Sequence, residues 1–161
     1  MTAERSLSAV LNVNDEERAV HLKPTDTLLF VLREKLGLSG AKPGCLNGDC
    51  GACTVNIDGL AMKSCLMLAV ESLNKKITTI EGLKGTPIQQ AFVEHFAFQC
   101  GYCTPGFIMN CHAMLNTVPD ANDDTIAEWL NSNICRCTGY QEIEGAVRSI
   151  VKKNQMNRKR P

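Results

Sequence analysis

Gln99-Cys100-Gly101-Tyr102-Cys103-Thr104-Pro105-Gly106 is the stretch on which the reading of the fold turns. It places two sulfurs on a tight glycine turn just ahead of a predicted helix, because proline suits a helix's first turn. By itself a Cys-x-x-Cys is open between a dithiol redox motif, half a zinc site and half an iron–sulfur site. The other cysteines must decide, and the chain has nine in all. In a secreted chain they would suggest disulfides, whereas in a reducing cytosol they point to thiolate ligation of metal. Nine is odd, so at least one stands outside any set of four.

Downstream, Cys135-Arg136-Cys137 supplies the natural partners of Cys100 and Cys103. Thr104-Pro105 and Thr138-Gly139 both read as helix starts. Two helix N-termini would then face one centre, and their positive dipole ends favour a cluster whose charge is about minus two. On spacing alone zinc also fits Cys-x-x-Cys plus Cys-x-Cys. A dithiol motif needs a βαβ setting, and the surroundings here read as helical. Cys111, eight residues past Cys103 on the same predicted helix, has no spaced partner and reads as a buried apolar thiol.

Upstream, Cys45-x4-Cys50-x2-Cys53 followed by Cys65 is the plant-type spacing for a [2Fe-2S] cluster. Gly44, Gly48 and Gly51 allow the backbone to turn tightly and bring amide N–H groups towards the sulfurs. A zinc site built from short Cys-x-x-Cys knuckles fits the four-residue gap poorly.

Around these sets the chain changes character. Leu7, Ala9, Leu11 and Val13 alternate with polar residues, Asn14-Asp15 marks a turn, and Val20 and Leu22 resume the period, which predicts a hairpin. Thr25 or Asp26 can cap a helix over Thr27 to Leu36, with Leu28, Val31, Leu32 and Leu36 on one face and Gly37 at its end. Cys53 to Asp58 and Lys76 to Ile80 read as strands, the first ending in an Asp58-Gly59 turn. Beyond Pro87 helices are predicted at Ile88 to Phe98, Pro105 to Leu115, Asp124 to Leu130 and Ile143 to about Lys152. Two small domains result, 1–82 and 83–161, and Lys152 to Pro161 forms a short basic, solvated tail.

The chain has 161 residues, 44% of them hydrophobic, which is the composition of a globular protein. Its 17 basic and 17 acidic side chains leave no bulk charge to attract nucleic acid or an anionic membrane. The first residues lack an apolar leader region and no run is long enough to span a membrane, so the expected location is cytoplasmic.

Taken together, Leu32-Arg33-Glu34, Gly44 to Val55, Ser64-Cys65, Ile80-Glu-Gly82, Gln99 to Met109 and Asn133 to Tyr140 resemble the iron–sulfur (small) subunit of the molybdenum hydroxylases, the xanthine oxidase family. Aldehyde oxidoreductase, nicotinate dehydrogenase and carbon monoxide dehydrogenase belong to the same family. The resemblance covers residues 7 to about 151. It implies an α+β fold, with an N-terminal β-grasp, plant-type ferredoxin-like [2Fe-2S] domain followed by an all-α four-helix-bundle [2Fe-2S] domain of pseudo-twofold symmetry.

It further implies a large partner subunit with molybdenum-pterin cytosine dinucleotide, a medium one with FAD, and a dimer of heterotrimers. In such enzymes water supplies the oxygen placed on the substrate, and the electrons leave one at a time through the clusters to flavin. Carried over by position, Cys100, Cys103, Cys135 and Cys137 hold the cluster nearest molybdenum, and Cys45, Cys50, Cys53 and Cys65 the one nearest flavin. Gln99 matches the glutamine that hydrogen-bonds the pterin, and Cys137 the ligand that approaches its amino group. No catalytic residue is expected on this chain. A free two-cluster ferredoxin is the alternative function, and it leaves Gln99 without a use. The substrate, whether purine, aldehyde, N-heteroaromatic or carbon monoxide, is recognised on another chain.

Overall fold

The structure, a computed structural model, describes residues 6–158. The first half is a mixed five-stranded sheet of order β2-β1-β5-β3-β4. Strands β1 (Leu7–Val13) and β2 (Glu16–Leu22) form the expected hairpin, Leu7 opposite Leu22 and Val13 opposite Glu16. Asn14 and Asp15 both take positive φ at its tip, the geometry of a type I′ turn that matches the twist of the strands. A second hairpin joins β3 (Thr54–Ile57) to β4 (Leu60–Lys63) through Asp58 and Gly59, again both at positive φ. The sequence reading placed the turn but not β4, whose Leu60-Ala61-Met62-Lys63 has little alternation to mark a strand. β5 (Lys76–Thr78) runs parallel to β1 and antiparallel to β3, and so closes the sheet.

Helix α1 comprises Leu28–Phe30 and a π-helical continuation, Val31–Lys35. Its cap is Thr27, whose Oγ1 accepts the Phe30 N–H at 3.2 Å. Asp26 instead accepts from the Lys23 amide at 2.8 Å and pairs with Lys35 at 2.6 Å. Leu28, Leu29, Val31 and Leu32 join Leu11, Val13, Leu22, Val55, Ile57 and Ile77 in one core.

The second half is helical: α2 (Pro87–Glu94), α3 (Thr104–Thr117), α4 (Asp123–Leu130) and α5 (Gln141–Arg158). Their buried faces make a second core around Phe92, Phe107, Met114, Ile126, Ile143 and Val147. α2 stops earlier than predicted, because Phe96 takes a left-handed φ of 52° that an α-helix cannot continue through. α5 runs further than predicted and makes Lys152 to Arg158 helical, although most of these residues stay exposed as expected. The last three residues of that tail, and the first five of the chain, lie outside the described residues.

The two cores meet along β3. Val55 and Ile57 face the sheet core, while Thr54 and Asn56 on the opposite face are buried as well, where α3 packs on this strand. All four residues of β3 are therefore buried. Among the described residues no helix is long and apolar enough to cross a membrane.

Candidate metal centres

Cys45 and Cys50 lie in the irregular loop before β3, Cys53 immediately precedes β3, and Cys65 follows β4 by two residues. The hairpin register explains why residues twelve apart in sequence become neighbours. Thr54 opposes Lys63, so the chain on either side of that pair returns to the same place. Ser64 reinforces the closure by donating from its hydroxyl to the Cys53 carbonyl at 2.7 Å. The loop aims amides at sulfur: the Cys50 N–H points to Cys45 Sγ at 3.3 Å. With the Asn47 and Asp49 amides, it draws the Cys45 thiol down to about 7. Burial pushes Cys65 up to about 11, reinforced by the neighbouring Cys53 sulfur. Leu46 holds this loop at φ 62°, an unusual conformation for a side-chain-bearing residue and one that nothing in the sequence signalled.

In the second set Cys103 occupies the N-cap position of α3, and Cys100 sits three residues earlier across Gly101, whose φ is 79°. Cys100 Sγ lies 3.5 Å from Cys137 Sγ. Cys103 and Cys135 are also mutual neighbours, and burial followed by the Cys135 sulfur pushes Cys103 up to about 12. Burial acts in the same direction on Cys135, but hydrogen bonds outweigh it and leave its thiol lowered, among them one from Thr138 Oγ1 at 3.2 Å.

One expectation needs correcting here. Thr138-Gly139 does not start a helix, because Gly139 and Tyr140 both have positive φ, and α5 begins only at Gln141. The intervening turn instead folds Thr138 onto Cys135 and brings the Tyr140 hydroxyl to accept the Cys135 N–H at 3.0 Å. Tyr140 packs edge-on against Phe107, with centroids 6.2 Å apart.

Eight of the nine thiols thus fall into two groups, each with N–H or O–H donors aimed at sulfur, which suits soft-ligand iron–sulfur chemistry. The ninth, Cys111, is buried in the helical core, and burial alone raises its thiol to about 12. Gln99 and Arg136 are exposed beside the second group, and the Gln99 amide has no hydrogen-bond partner among the described residues.

The sequence reading missed the joint between the groups. The Ile134 N–H donates to the Cys50 carbonyl at 3.0 Å, and buried Asn133 donates through Nδ2 to the Gly51 carbonyl at 3.0 Å. Lys63 Nζ reaches the Ser132 carbonyl at 2.5 Å, and the Tyr102 hydroxyl donates to the Pro43 carbonyl at 3.1 Å. Gly106 lets α3 approach so closely that an added Cβ would fall on the Gly51 carbonyl oxygen. Asn133 and Gly106 stood inside the quoted motifs, but only their place beside cysteines was visible.

Comparison with known proteins agrees with this arrangement. A family described as "2Fe-2S iron-sulfur cluster binding domain" matches residues 26–98, and one described as "[2Fe-2S] binding domain" matches residues 79–148. The chain is 44% identical over 147 residues to the nicotinate dehydrogenase small FeS subunit of Eubacterium barkeri, covering 89% of this chain and 94% of that one. It is 43% identical over 140 residues to the nicotine 6-hydroxylase small subunit of Paenarthrobacter nicotinovorans, covering 85% of each. The crystal structure of quinoline 2-oxidoreductase from Pseudomonas putida 86 superposes with a TM-score of 0.87 at 36% identity, covering 94% of this chain and 97% of that chain. Kinship at this level along nearly the whole length makes the chain an iron–sulfur small subunit of the molybdenum hydroxylase family, the electron-transferring part of a multi-subunit oxidoreductase.

Proposed function

We propose that this chain relays electrons from a molybdenum-pterin cytosine dinucleotide in a large subunit, through two [2Fe-2S] clusters, to FAD on a medium subunit. The three form a heterotrimer, repeated as a dimer and located in the cytoplasm, that oxidises its substrate with oxygen from water. Cys100, Cys103, Cys135 and Cys137 would hold one cluster, and Cys45, Cys50, Cys53 and Cys65 the other. When bound, each cluster supplies a one-electron carrier between two-electron chemistry at either end.

The observation that carries this reading is the exposure of the second group. Cys100 and Cys137 touch each other at the surface, and the exposed Gln99, whose amide has no hydrogen-bond partner among the described residues, sits next to Cys100. An amide offers both a donor and an acceptor, as the edge of a pterin requires. Exposure at that point suits handover to another chain, because the electron then crosses a contact rather than a protein layer. The inward cysteines, Cys103 and Cys135, anchor the group to the helical core, and Phe107 and Tyr140 pack behind them. In this reading residues 1–82 form the β-grasp domain, and residues 83–161 form the four-helix bundle, whose α2 packs on α5 and α3 on α4.

The test is to purify the intact complex and measure metal content and electron paramagnetic resonance. Two rhombic [2Fe-2S] signals with about four iron and four sulfide per chain are expected, and zinc in place of iron would refute the reading. Cys45→Ser should leave reduction of molybdenum by substrate intact but slow flavin reduction, whereas Cys137→Ser should impair both. A monomer that never co-purifies with a large or flavin-bearing chain would instead favour a free carrier.

A further inference from the structure

Lys63, the last residue of β4, is half-buried at the joint between the two halves. Its ammonium lies 2.5 Å from the Ser132 carbonyl and 3.5 Å from Thr54 Oγ1. It also stands 2.8 Å from where a Gly51 Cβ would be, in the loop between Cys50 and Cys53. Among the described residues no carboxylate pairs with it. The ionisable side chains that act on it electrostatically include Cys53, Cys50, Cys65 and Cys45, the whole first group. Desolvating a cation without an anion is costly. Its two hydrogen-bond partners, a carbonyl and a hydroxyl, are neutral, so the loaded cysteine group is what would supply its counter-charge.

We propose that Lys63 is a positioning residue that makes the first group's cluster easier to reduce, by fixing a positive charge beside a site that gains one negative charge on reduction. Cluster potentials respond to local charge and solvent access, so a fixed ammonium favours the reduced state. No proton transfer is involved, and the electron arrives from the second group as in the function proposed above, on which this inference rests. Among the described residues no cation is held on the second group in the same way, and its nearest basic neighbour in sequence, Arg136, is exposed to solvent. The asymmetry gives the relay a downhill direction, towards the cluster beside Lys63.

The experiment is a redox titration of the intact complex followed by electron paramagnetic resonance, comparing wild type with Lys63→Met, Lys63→Gln and Lys63→Arg. The first group's signal is identified as the one that Cys45→Ser alters. In Lys63→Met and Lys63→Gln that cluster's reduction equilibrium should become about tenfold less favourable, a shift of about 59 mV for one electron, while the other signal stays in place. Lys63→Arg should restore most of the difference. An unmoved first signal, or equal shifts of both signals, would overturn the proposal, the latter by showing a general loosening of the joint. Should Lys63→Met fail to hold iron, Lys63→Gln gives the reading. Iron loading by Lys63→Arg alone would support a need for the charge, and iron loss from all three variants would assign Lys63 to folding and overturn the proposal. If wild type itself lacks a first-group signal, the proposed relay fails with it, which separates that failure from this one.

Discussion

In the first cysteine group Cys53 and Cys65 are buried and Cys45 and Cys50 half-covered, whereas in the second Cys100 and Cys137 are exposed and Cys135 alone is buried. The second group is anchored from within its own core, by α3 and by the turn around Tyr140. The first depends on cover from outside. Its loop receives N–H or O–H donors from Ile134, Asn133 and Tyr102, all in the helical half, and its β3 is buried on one face by α3. The difference teaches that the sulfur loop of the sheet half takes part of its cover from the helical half, Asn133 reaching Gly51 from 82 positions away. The partly open group is the one placed to meet another chain.

Three substitutions in the helical half test this dependence by their effect on the first group. The largest effect is expected from Gly106→Ala, whose new methyl would collide with the Gly51 carbonyl and force α3 off β3. A cost of about 3 kcal/mol is expected from such backbone overpacking, read as an earlier denaturation midpoint together with preferential loss of the Cys45-group signal. A normal midpoint with both signals intact would show that the halves fold independently.

Asn133→Ala should cost about 1.5 kcal/mol, because a buried hydrogen bond is lost while the Gly51 carbonyl keeps its bonds from Thr54. Iron release from the first group on chelator challenge should quicken, and release from the second should not. Faster release from the second group alone would reverse the comparison. Tyr102→Phe should cost the least, about 0.5 kcal/mol, since its hydroxyl bonds the Pro43 carbonyl at an exposed position. Equilibrium unfolding of the two proteins side by side is sufficient to measure it.

The hairpin from Leu7 to Leu22 was legible because alternation and an Asn-Asp turn are local signals, and the structure puts both turn residues in the required conformation. The helices were legible for the same reason, apart from their ends. Phe96 and Tyr140 take left-handed conformations that no residue preference announces, so α2 ends early and the helix start read at Thr138-Gly139 gives way to one at Gln141. β4 escaped notice because four residues of mixed polarity carry too short a period. In the site, the eight cysteines could be grouped by spacing, whereas Lys63, Asn133 and Tyr102 could not be assigned to any partner.

The sequence by itself determined that there would be two sulfur groups, their membership as proposed, the isolation of Cys111 and the change from strands to helices. These depend on spacing and period, which are properties of neighbouring residues. Only the tertiary structure decided that the helical half covers the first group, that Lys63 faces its sulfurs, and that Cys100, Cys137 and Gln99 remain open at the surface. Those facts depend on how two cores dock along β3, a match of distant faces in which Gly51 and Gly106 matter because they lack side chains at the point of closest approach.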